Sequence, residues 1–264
     1  MTAIAVTIAG SDPSGGAGIA ADLKTFAALG VYGATIITAL TAQSTRGVFG
    51  IHDVPADFVT AQINAVFTDL KIDAVKIGML GNASAIEAVA AAFDRYRPRN
   101  VVLDPVLVAS SGERLLREDA LSALRDMISR VHVITPNLPE AAVLLGSSPA
   151  RDEDEMRAQG QQLLTLGPSA VLIKGGHGSG PESVDFLVEP DNCLRLAAPR
   201  VDTRNTHGTG CTFASAIAAG LAKGLPLDEA ARQAKTYVSA AIAAADRLDV
   251  GSGRGPLHHF QAWW

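Results

Sequence analysis

Short apolar runs alternate along the chain with longer segments whose apolar residues recur at helical spacing. The runs predict strands at about residues 3–9, 34–40, 73–78, 100–104, 131–135 and 169–174. Each run is apolar almost throughout, which is typical of strands covered on both faces. Segments such as AGIAADLKTFAALG between them predict helices. This alternation predicts right-handed βαβ units, and so a mostly parallel α/β sheet with helices on both faces.

The pattern changes near residues 183–198, where two strand-like runs flank EPDN and predict a small β-hairpin. Two helices, at about 209–223 and 227–246, are expected after it. The sequence contains no internal repeat and no low-complexity linker. We therefore expect one domain over residues 1–264.

Composition narrows the class of protein. A net charge of −5 over 264 residues gives no electrostatic reason to expect a nucleic acid or an anionic membrane as partner. The two cysteines, Cys193 and Cys211, fit no zinc-binding spacing. The first residues, MTAIAVTIAGSD, lack the basic region of a signal peptide. No apolar run reaches the ~20 residues of a membrane span, so we expect a cytoplasmic protein.

Polar, glycine-rich loops follow the predicted strands. They are GSDPSGGAG (10–18), TAQST (41–45), GMLGN (78–82), DPVLVASSG (104–112), TPNLPE (135–140) and KGGHGSG (174–180). Parallel sheets bind ligands beyond the carboxyl ends of their strands. Turns alone also favour glycine, asparagine and proline, so one such loop is weak evidence. Together they predict a site at this edge of the sheet.

Two glycine turns, GGAG (15–18) and GTG (208–210), precede predicted helices, while the P-loop and dinucleotide fingerprints are both missing. Backbone amides at such a turn, with the positive end of the helix dipole, form an anion site. Cys211 follows the second turn, where the dipole would favour its thiolate. Amides and a base in this arrangement suit phosphoryl transfer. The alternative is that Cys211 is a small packing residue.

Seven motifs carry a family resemblance. In chain order they are AGSDPSGGAGIAADLKTF (9–26), TALTAQST (38–45), KIGMLG (76–81), VVLDPVLVASSG (101–112), ITPNLPEA (134–141), VLIKGGH (171–177) and NTHGTGCT (205–212). They resemble the hydroxymethylpyrimidine/phosphomethylpyrimidine kinases of the ribokinase-like superfamily, over nearly the whole chain. The resemblance implies a ribokinase-like fold and ATP-dependent phosphorylation of 4-amino-5-hydroxymethyl-2-methylpyrimidine, then of its monophosphate, for thiamine biosynthesis. It also implies a homodimer formed through a flap of the sheet.

The resemblance also assigns roles to residues. Cys211 takes the place of the aspartate base of ribokinases, and the amides of Gly208, Thr209, Gly210 and Cys211 resemble the anion hole. The pyrimidine pocket would be formed by Gly10, Asp22, Gln43, Met79 and Val106. Asp22 and Gln43 can match a ring nitrogen and an exocyclic amine, whereas Met79 and Val106 supply apolar faces.

On the nucleotide side, Lys174 resembles the lysine that reaches the ATP phosphates, with Asn137 nearby. Asp104 and Glu140 would organise Mg²⁺, partly through water. Each also has a structural alternative: Asp104 as a strand cap, Glu140 as an acid in the first turn of a helix, Lys174 as surface charge. The glycine- and serine-rich segments 109–116 and 174–183 are candidate lids.

The sequence leaves other functions open. A cysteine-containing pyridoxal kinase of the same superfamily is the main alternative, because both substrates are flat heteroaromatics with a hydroxymethyl arm. A non-catalytic pyrimidine-binding protein would lack an intact phosphate site, and a sugar kinase would carry aspartate at position 211. Ala20 and Ser44 replace amide side chains usual in the family, which bears on pyrimidine preference. We interpret His207 as a turn residue rather than a catalytic base.

Overall fold

The structure is a computed structural model that describes residues 1–109, 112–113, 115–176, 178 and 180–264. Its strands are β1 (Ile4–Ala9), β2 (Tyr32–Ile37), β3 (Ala39–Ser44), β4 (Gly47–Asp53), β5 (Ala74–Ile77), β6 (Val101–Leu103), β7 (Val133–Ile134), β8 (Ala170–Lys174), β9 (Glu182–Glu189) and β10 (Asn192–Pro199). Its helices are α1 (Gly18–Ala28), α2 (Ala56–Asp69), α3 (Ala83–Tyr96), α4 (Leu121–Ile128), α5 (Leu138–Leu145), α6 (Glu153–Leu164), α7 (Thr209–Ala222) and α8 (Leu227–Ala243). The two candidate lid segments include residues 110, 111, 114, 177 and 179, which lie outside the described part.

The main sheet has eight strands in the order β10-β9-β8-β7-β6-β5-β1-β2. The six strands from β8 to β2 pair in parallel, whereas β9 and β10 add an antiparallel hairpin at the edge. This arrangement confirms the predicted α/β fold with its small hairpin. The parallel strands all end at one edge, so the loops that follow them lie side by side.

The core lies on both faces of this sheet because successive strand residues point to opposite sides. On one face Val6 and Ile8 of β1 belong to a cluster with residues of α2, α3 and α4. On the other face Ala5 belongs to a cluster with α7 and α8. Helix α7 is buried continuously from Thr212 to Ala222, and its alanine and glycine residues allow close packing against α1, α8 and the sheet. The amino-terminal end of α7 is thereby positioned by packing at the carboxyl-end edge of the sheet.

One prediction about the edge loops is wrong. Residues 41–45 were expected to be a loop, but most of them belong to β3, which pairs with β4 in a separate two-stranded antiparallel sheet. The predicted strand at 34–40 ends at Ile37, and β3 begins two residues later. The hairpin formed by β3 and β4, the flap, exposes Leu40, Phe49 and Ile51. Its polar and glycine residues give it no strand periodicity.

Within the described residues, no helix combines the length and the apolar character that crossing a bilayer requires.

Candidate active site

The two glycine turns lie in direct contact at the carboxyl-end edge of the sheet. Gly208 caps α7 with a φ of 81°, and a Cβ at this position would overlap the carbonyl oxygen of Gly16. Gly18 opens α1 with a φ of 53°, where a Cβ would overlap the carbonyl oxygen of Gly10. Both positions require glycine, because left-handed backbone and close approach each exclude a side chain. The amino-terminal ends of α1 and α7 therefore meet.

Cys211 occupies the first turn of α7 with a half-buried side chain. Burial raises the pKa of its thiol to about 11, although Lys76 and a hydrogen bond from the Gly18 amide act in the opposite direction. The sequence-based expectation that the helix dipole favours the thiolate is therefore wrong for the protein without ligands. Desolvation of the charged sulfur outweighs the dipole here.

Lys174, at the end of β8, forms an ion pair with Asp104, which follows β6. The Lys174 Nζ lies 2.6 Å from Asp104 Oδ1, and Thr135 donates a hydrogen bond of 3.2 Å to the same oxygen. The position of a Cβ on Gly210 would be 3.1 Å from Lys174 Nζ. The ammonium group thus lies against the GTGC turn (residues 208–211).

Asn137 and Glu140 form a capping box at the start of α5. The Glu140 backbone N–H donates to Asn137 Oδ1 at 2.9 Å, and the Asn137 N–H donates to Glu140 Oε2 at 2.8 Å. Burial and the neighbouring Asp104 raise the pKa of Glu140 to about 7, even though Lys174 lowers it. Glu140 therefore caps a helix and also places a second carboxylate beside the Lys174–Asp104 pair.

The predicted pyrimidine residues are distributed around this edge. A Cβ on Gly10 would lie 3.1 Å from Met79 Sδ, so these two residues adjoin. Gln43, at a bulge in the flap, has its Nε2 3.4 Å from His207 Nε2. Val106 is half-buried, and its N–H donates to the Asp104 carbonyl oxygen at 2.8 Å.

Asp22 lies deeper than a ligand-contacting role requires. It is fully buried, and its carboxylate accepts hydrogen bonds from Thr7 Oγ1 at 2.6 Å, Lys76 Nζ at 2.9 Å and Ser215 Oγ at 2.7 Å. Sequence reasoning missed Lys76. The available signal was a lysine inside an apolar strand predicted to be covered on both faces, because such a charge needs a buried partner.

Sequence reasoning also missed a link between the two glycine turns. His207 Nε2 lies 2.8 Å from Asp12 Oδ2, and the same carboxylate accepts hydrogen bonds from the amides of Gly16 and Ala17. Burial would raise the pKa of Asp12, but hydrogen bonds from His207 and Ser14 lower it below its ordinary value. The His207 imidazole thus bonds to a carboxylate of the facing loop, and its backbone forms an isolated β-bridge with Pro256.

A cavity of about 620 Å³ lies elsewhere, where β5 and β6 begin and α7 ends. Its lining includes Lys71, Tyr96 and Asn100 and none of the predicted site residues. The predicted residues gather instead at the carboxyl-end edge.

Comparisons with known proteins show which family the chain resembles over its whole length. A profile of the family described as Phosphomethylpyrimidine kinase matches residues 12–258. The chain is 57% identical to a hydroxymethylpyrimidine/phosphomethylpyrimidine kinase of Rhizobium meliloti, over 100% of this chain and 99% of that protein. It is 53% identical to the protein of that name from Salmonella typhimurium, over 98% of each chain. The ADP complex of Bacillus subtilis pyridoxal kinase superposes with a TM-score of 0.91 at 34% identity, covering 99% of both chains.

Proposed function

The chain belongs to the phosphomethylpyrimidine kinase family, and we propose that it transfers phosphate from ATP to 4-amino-5-hydroxymethyl-2-methylpyrimidine and then to the monophosphate. The product of both steps is the pyrimidine pyrophosphate used in thiamine biosynthesis. One kinase domain over residues 1–264 performs both steps in this proposal. The names of relatives that align over their whole length support it.

One observation carries the proposal. The Lys174 ammonium lies beside Asp104 and against Gly210, one residue before Cys211. A cation from the end of β8 thus lies against a helix start that supplies backbone amides and a sulfur. Phosphoryl transfer depends mainly on positioning and on stabilising charge at the transferred group, so these groups suit it.

The nucleotide site would use Lys174 for the phosphates, with Asn137 at its side. Two carboxylates, Asp104 and Glu140, adjoin the Lys174 ammonium, and burial together with Asp104 raises the pKa of Glu140 to about 7. Oxygen donors of this kind fit Mg²⁺, which keeps several waters and binds through one or two carboxylates plus substrate phosphates. Within the described residues, no group of three or more metal-ligating side chains exists. Bound Mg²⁺ would neutralise charge on the phosphates.

On the acceptor side, the substrate would bind against Gly10, Met79 and Val106, with Gln43 bonding to the ring. The amides of Gly208–Cys211 would face the transferred phosphoryl group. Because the Cys211 thiol is neutral at pH 7 in the protein without ligands, we assign it to orienting the acceptor hydroxyl. Proton removal by its thiolate would require a lower pKa in the complex.

Pyridoxal phosphorylation is the second candidate. It is supported by the close superposition with the Bacillus subtilis pyridoxal kinase. Both substrates present a hydroxymethyl group on a flat heteroaromatic ring, so one pocket could accept either.

The test is turnover with ATP and Mg²⁺ of three acceptors side by side: the hydroxymethylpyrimidine, its monophosphate and pyridoxal. We expect both pyrimidines to be phosphorylated with kcat/KM at least about 100-fold above that for pyridoxal, a difference of about 2.7 kcal/mol. Turnover of pyridoxal alone would overturn the proposal in favour of the second candidate. No turnover of any acceptor would contradict both.

We propose that the flap joins two copies of the chain. It exposes Leu40 (48%), Phe49 (69%) and Ile51 (42%), and exposed apolar clusters mark interaction surfaces. Sedimentation equilibrium of the wild-type protein is expected to give a dimer, and Phe49→Ser/Ile51→Ser a monomer. Phe58→Ser is the control, since Phe58 is 61% exposed on α2, outside the flap. A wild-type monomer would contradict this assembly.

A further inference from the structure

Lys76 and Asp22 form an ion pair that is sealed inside the protein. The two side chains are both 0% exposed, and Lys76 Nζ lies 2.9 Å from Asp22 Oδ2. Buried pairs are costly, because both ions lose their hydration. Asp22 recovers much of that cost through additional hydrogen bonds from Thr7 and Ser215. Lys76 does not, since Asp22 is its one hydrogen-bond acceptor within the described residues.

An ammonium group carries three N–H donors, so two donors of Lys76 have no acceptor in the described part of the chain. The local backbone leaves room for this group, because a Cβ on Gly78 would come within 2.8 Å of Lys76 Nζ. A fully buried cation with spare donors is expected where negative charge appears during function.

The α7 helix places Cys211 next to this pair. Ser215, which binds Asp22, follows Cys211 by four residues on the same helix. Residues four apart lie on the same helical face, one turn from each other. Cys211 thus lies on the helix face that meets the Asp22–Lys76 pair.

Charged groups of both signs act on the Cys211 sulfur. Lys76 on β5 and Lys174 on β8 attract negative charge there, while Asp22 on α1 and Asp104 after β6 repel it. Lys76 is the strongest attractive charge on the sulfur. Neighbouring charges alter ionisation by amounts comparable to burial.

We propose that Lys76 is the positioning residue of this site: its buried ammonium, held by Asp22, sets how readily the Cys211 sulfur carries negative charge. An effect of Lys76 on catalysis rests on the proposed function, in which Cys211 contacts the acceptor hydroxyl. Lys76 itself touches no substrate, because its side chain has no exposed surface.

The test is the rate at which iodoacetamide alkylates Cys211 at pH 8, measured by mass spectrometry without substrates. A Cys193→Ser background removes the other, exposed thiol. Lys76→Met removes the attractive charge, and Asp22→Asn removes a repulsive one. A change of about one unit in the pKa of Cys211 changes the thiolate fraction at pH 8 about tenfold. Because a thiolate of higher pKa is also the better nucleophile, the net change in the alkylation rate is about threefold. We expect Lys76→Met to react at least about threefold more slowly and Asp22→Asn at least about threefold faster.

The matched control is Lys235→Met in the same background. Lys235 pairs with Asp185 of β9 at 2.6 Å, with side chains 9% and 3% exposed, and its hydrogen bonds go to β9 residues. We expect it to lower the melting temperature as Lys76→Met does, while the alkylation rate stays within about twofold of the background.

Opposite changes in Lys76→Met and Asp22→Asn would support the proposal, because a loss of packing alone would move both variants in the same direction. Equal rates, or changes of the same sign, would overturn it. Should Lys76→Met not fold, Asp22→Asn decides alone: a rate no faster than the background overturns the proposal. The alkylation assay needs no turnover, so an inactive wild-type enzyme would contradict the proposed function and leave this result standing.

Discussion

Two regions of the molecule each contain a buried lysine–aspartate pair, and they satisfy the ammonium group differently. Lys235 on α8 donates to Asp185 Oδ2 at 2.6 Å, to the Ser183 carbonyl oxygen at 2.8 Å and to Ser183 Oγ at 3.2 Å. Lys174, at the carboxyl-end edge, has one acceptor within the described residues, Asp104 Oδ1 at 2.6 Å. An ammonium has three donors. All three donors of Lys235 therefore have acceptors, whereas two donors of Lys174 have none within the described residues.

The difference separates a structural pair from a functional one. Asp185 and Lys235 balance each other's charge, and the second Asp185 oxygen accepts the Gly175 amide. At the site, Asp104 and Glu140 together outnumber Lys174. Buried N–H donors without an acceptor and buried carboxylates without a cation both destabilise a fold. Their presence here indicates that a bound ligand supplies the missing hydrogen bonds and charges.

The largest effect is expected from Lys174→Met. Removing a cation that stabilises charge on the transferred phosphoryl group is expected to lower kcat/KM for ATP about 10³-fold, in the range found for a single oxyanion donor. Steady-state kinetics with varied ATP measures this. Lys223→Met is the control, because Lys223 is an exposed residue at the other end of α7. A Lys174 variant within threefold of wild type would erase the distinction between the two pairs.

Lys235→Met is expected to reduce stability. It leaves the Asp185 carboxylate buried without its cation, which is expected to lower the free energy of unfolding by about 3 kcal/mol. Urea denaturation followed by circular dichroism measures the change. Lys235→Met/Asp185→Asn, which replaces the pair with neutral groups, is expected to recover part of the loss. An unchanged midpoint for the single variant would show that saturation of the ammonium does not stabilise the fold.

The smallest effect concerns the unbalanced carboxylate. The pKa of Glu140 is raised from 4.5 to about 7, so the folded protein binds a proton that the unfolded chain has lost. Its contribution to stability is therefore fully present below about pH 4.5 and declines as the pH rises through about 7. Urea midpoints without nucleotide are expected to show this decline in wild type and to show less of it in Glu140→Gln.

The glutamine variant keeps an oxygen that can accept the Asn137 amide hydrogen bond, so the helix cap is preserved. Glu87→Gln, at an exposed position on α3, is the control and is expected to follow wild type. A Glu140→Gln profile identical to that of wild type would contradict a raised Glu140 pKa in the folded protein.

The sequence predicted most of the main sheet because its strands are short apolar runs covered on both faces. Strands β1, β5, β6, β7 and β8 and the β9–β10 hairpin lie within a few residues of their expected positions. The flap was missed. Its strands mix Thr, Gln, Ser and Gly with apolar residues that remain exposed, so burial imposes no alternation on them.

Site residues could be predicted from the sequence only where they lie in a loop that directly follows a strand. Lys174, Asp104 and Glu140 were located from their loops, and the structure brings these three together. The Lys76–Asp22 pair spans 54 residues and the His207–Asp12 pair spans 195. No local pattern specifies such partners, because the packing of α1, α7 and β5 decides them. The protonation of Cys211 was misjudged for the same reason, since burial is a property of the packed structure.

Comparison of kcat for wild type, Cys211→Ser and Cys211→Ala, with the hydroxymethylpyrimidine and saturating ATP, tests most directly whether the GTGC turn is the catalytic centre. We expect Cys211→Ala to lower kcat about 10²-fold, because the acceptor hydroxyl loses the group that orients it. The kcat of Cys211→Ser is expected to lie between those of wild type and Cys211→Ala. The KM for ATP of both variants is expected to stay within about threefold of wild type. An alanine variant that keeps kcat within about threefold would contradict the assignment of the catalytic centre.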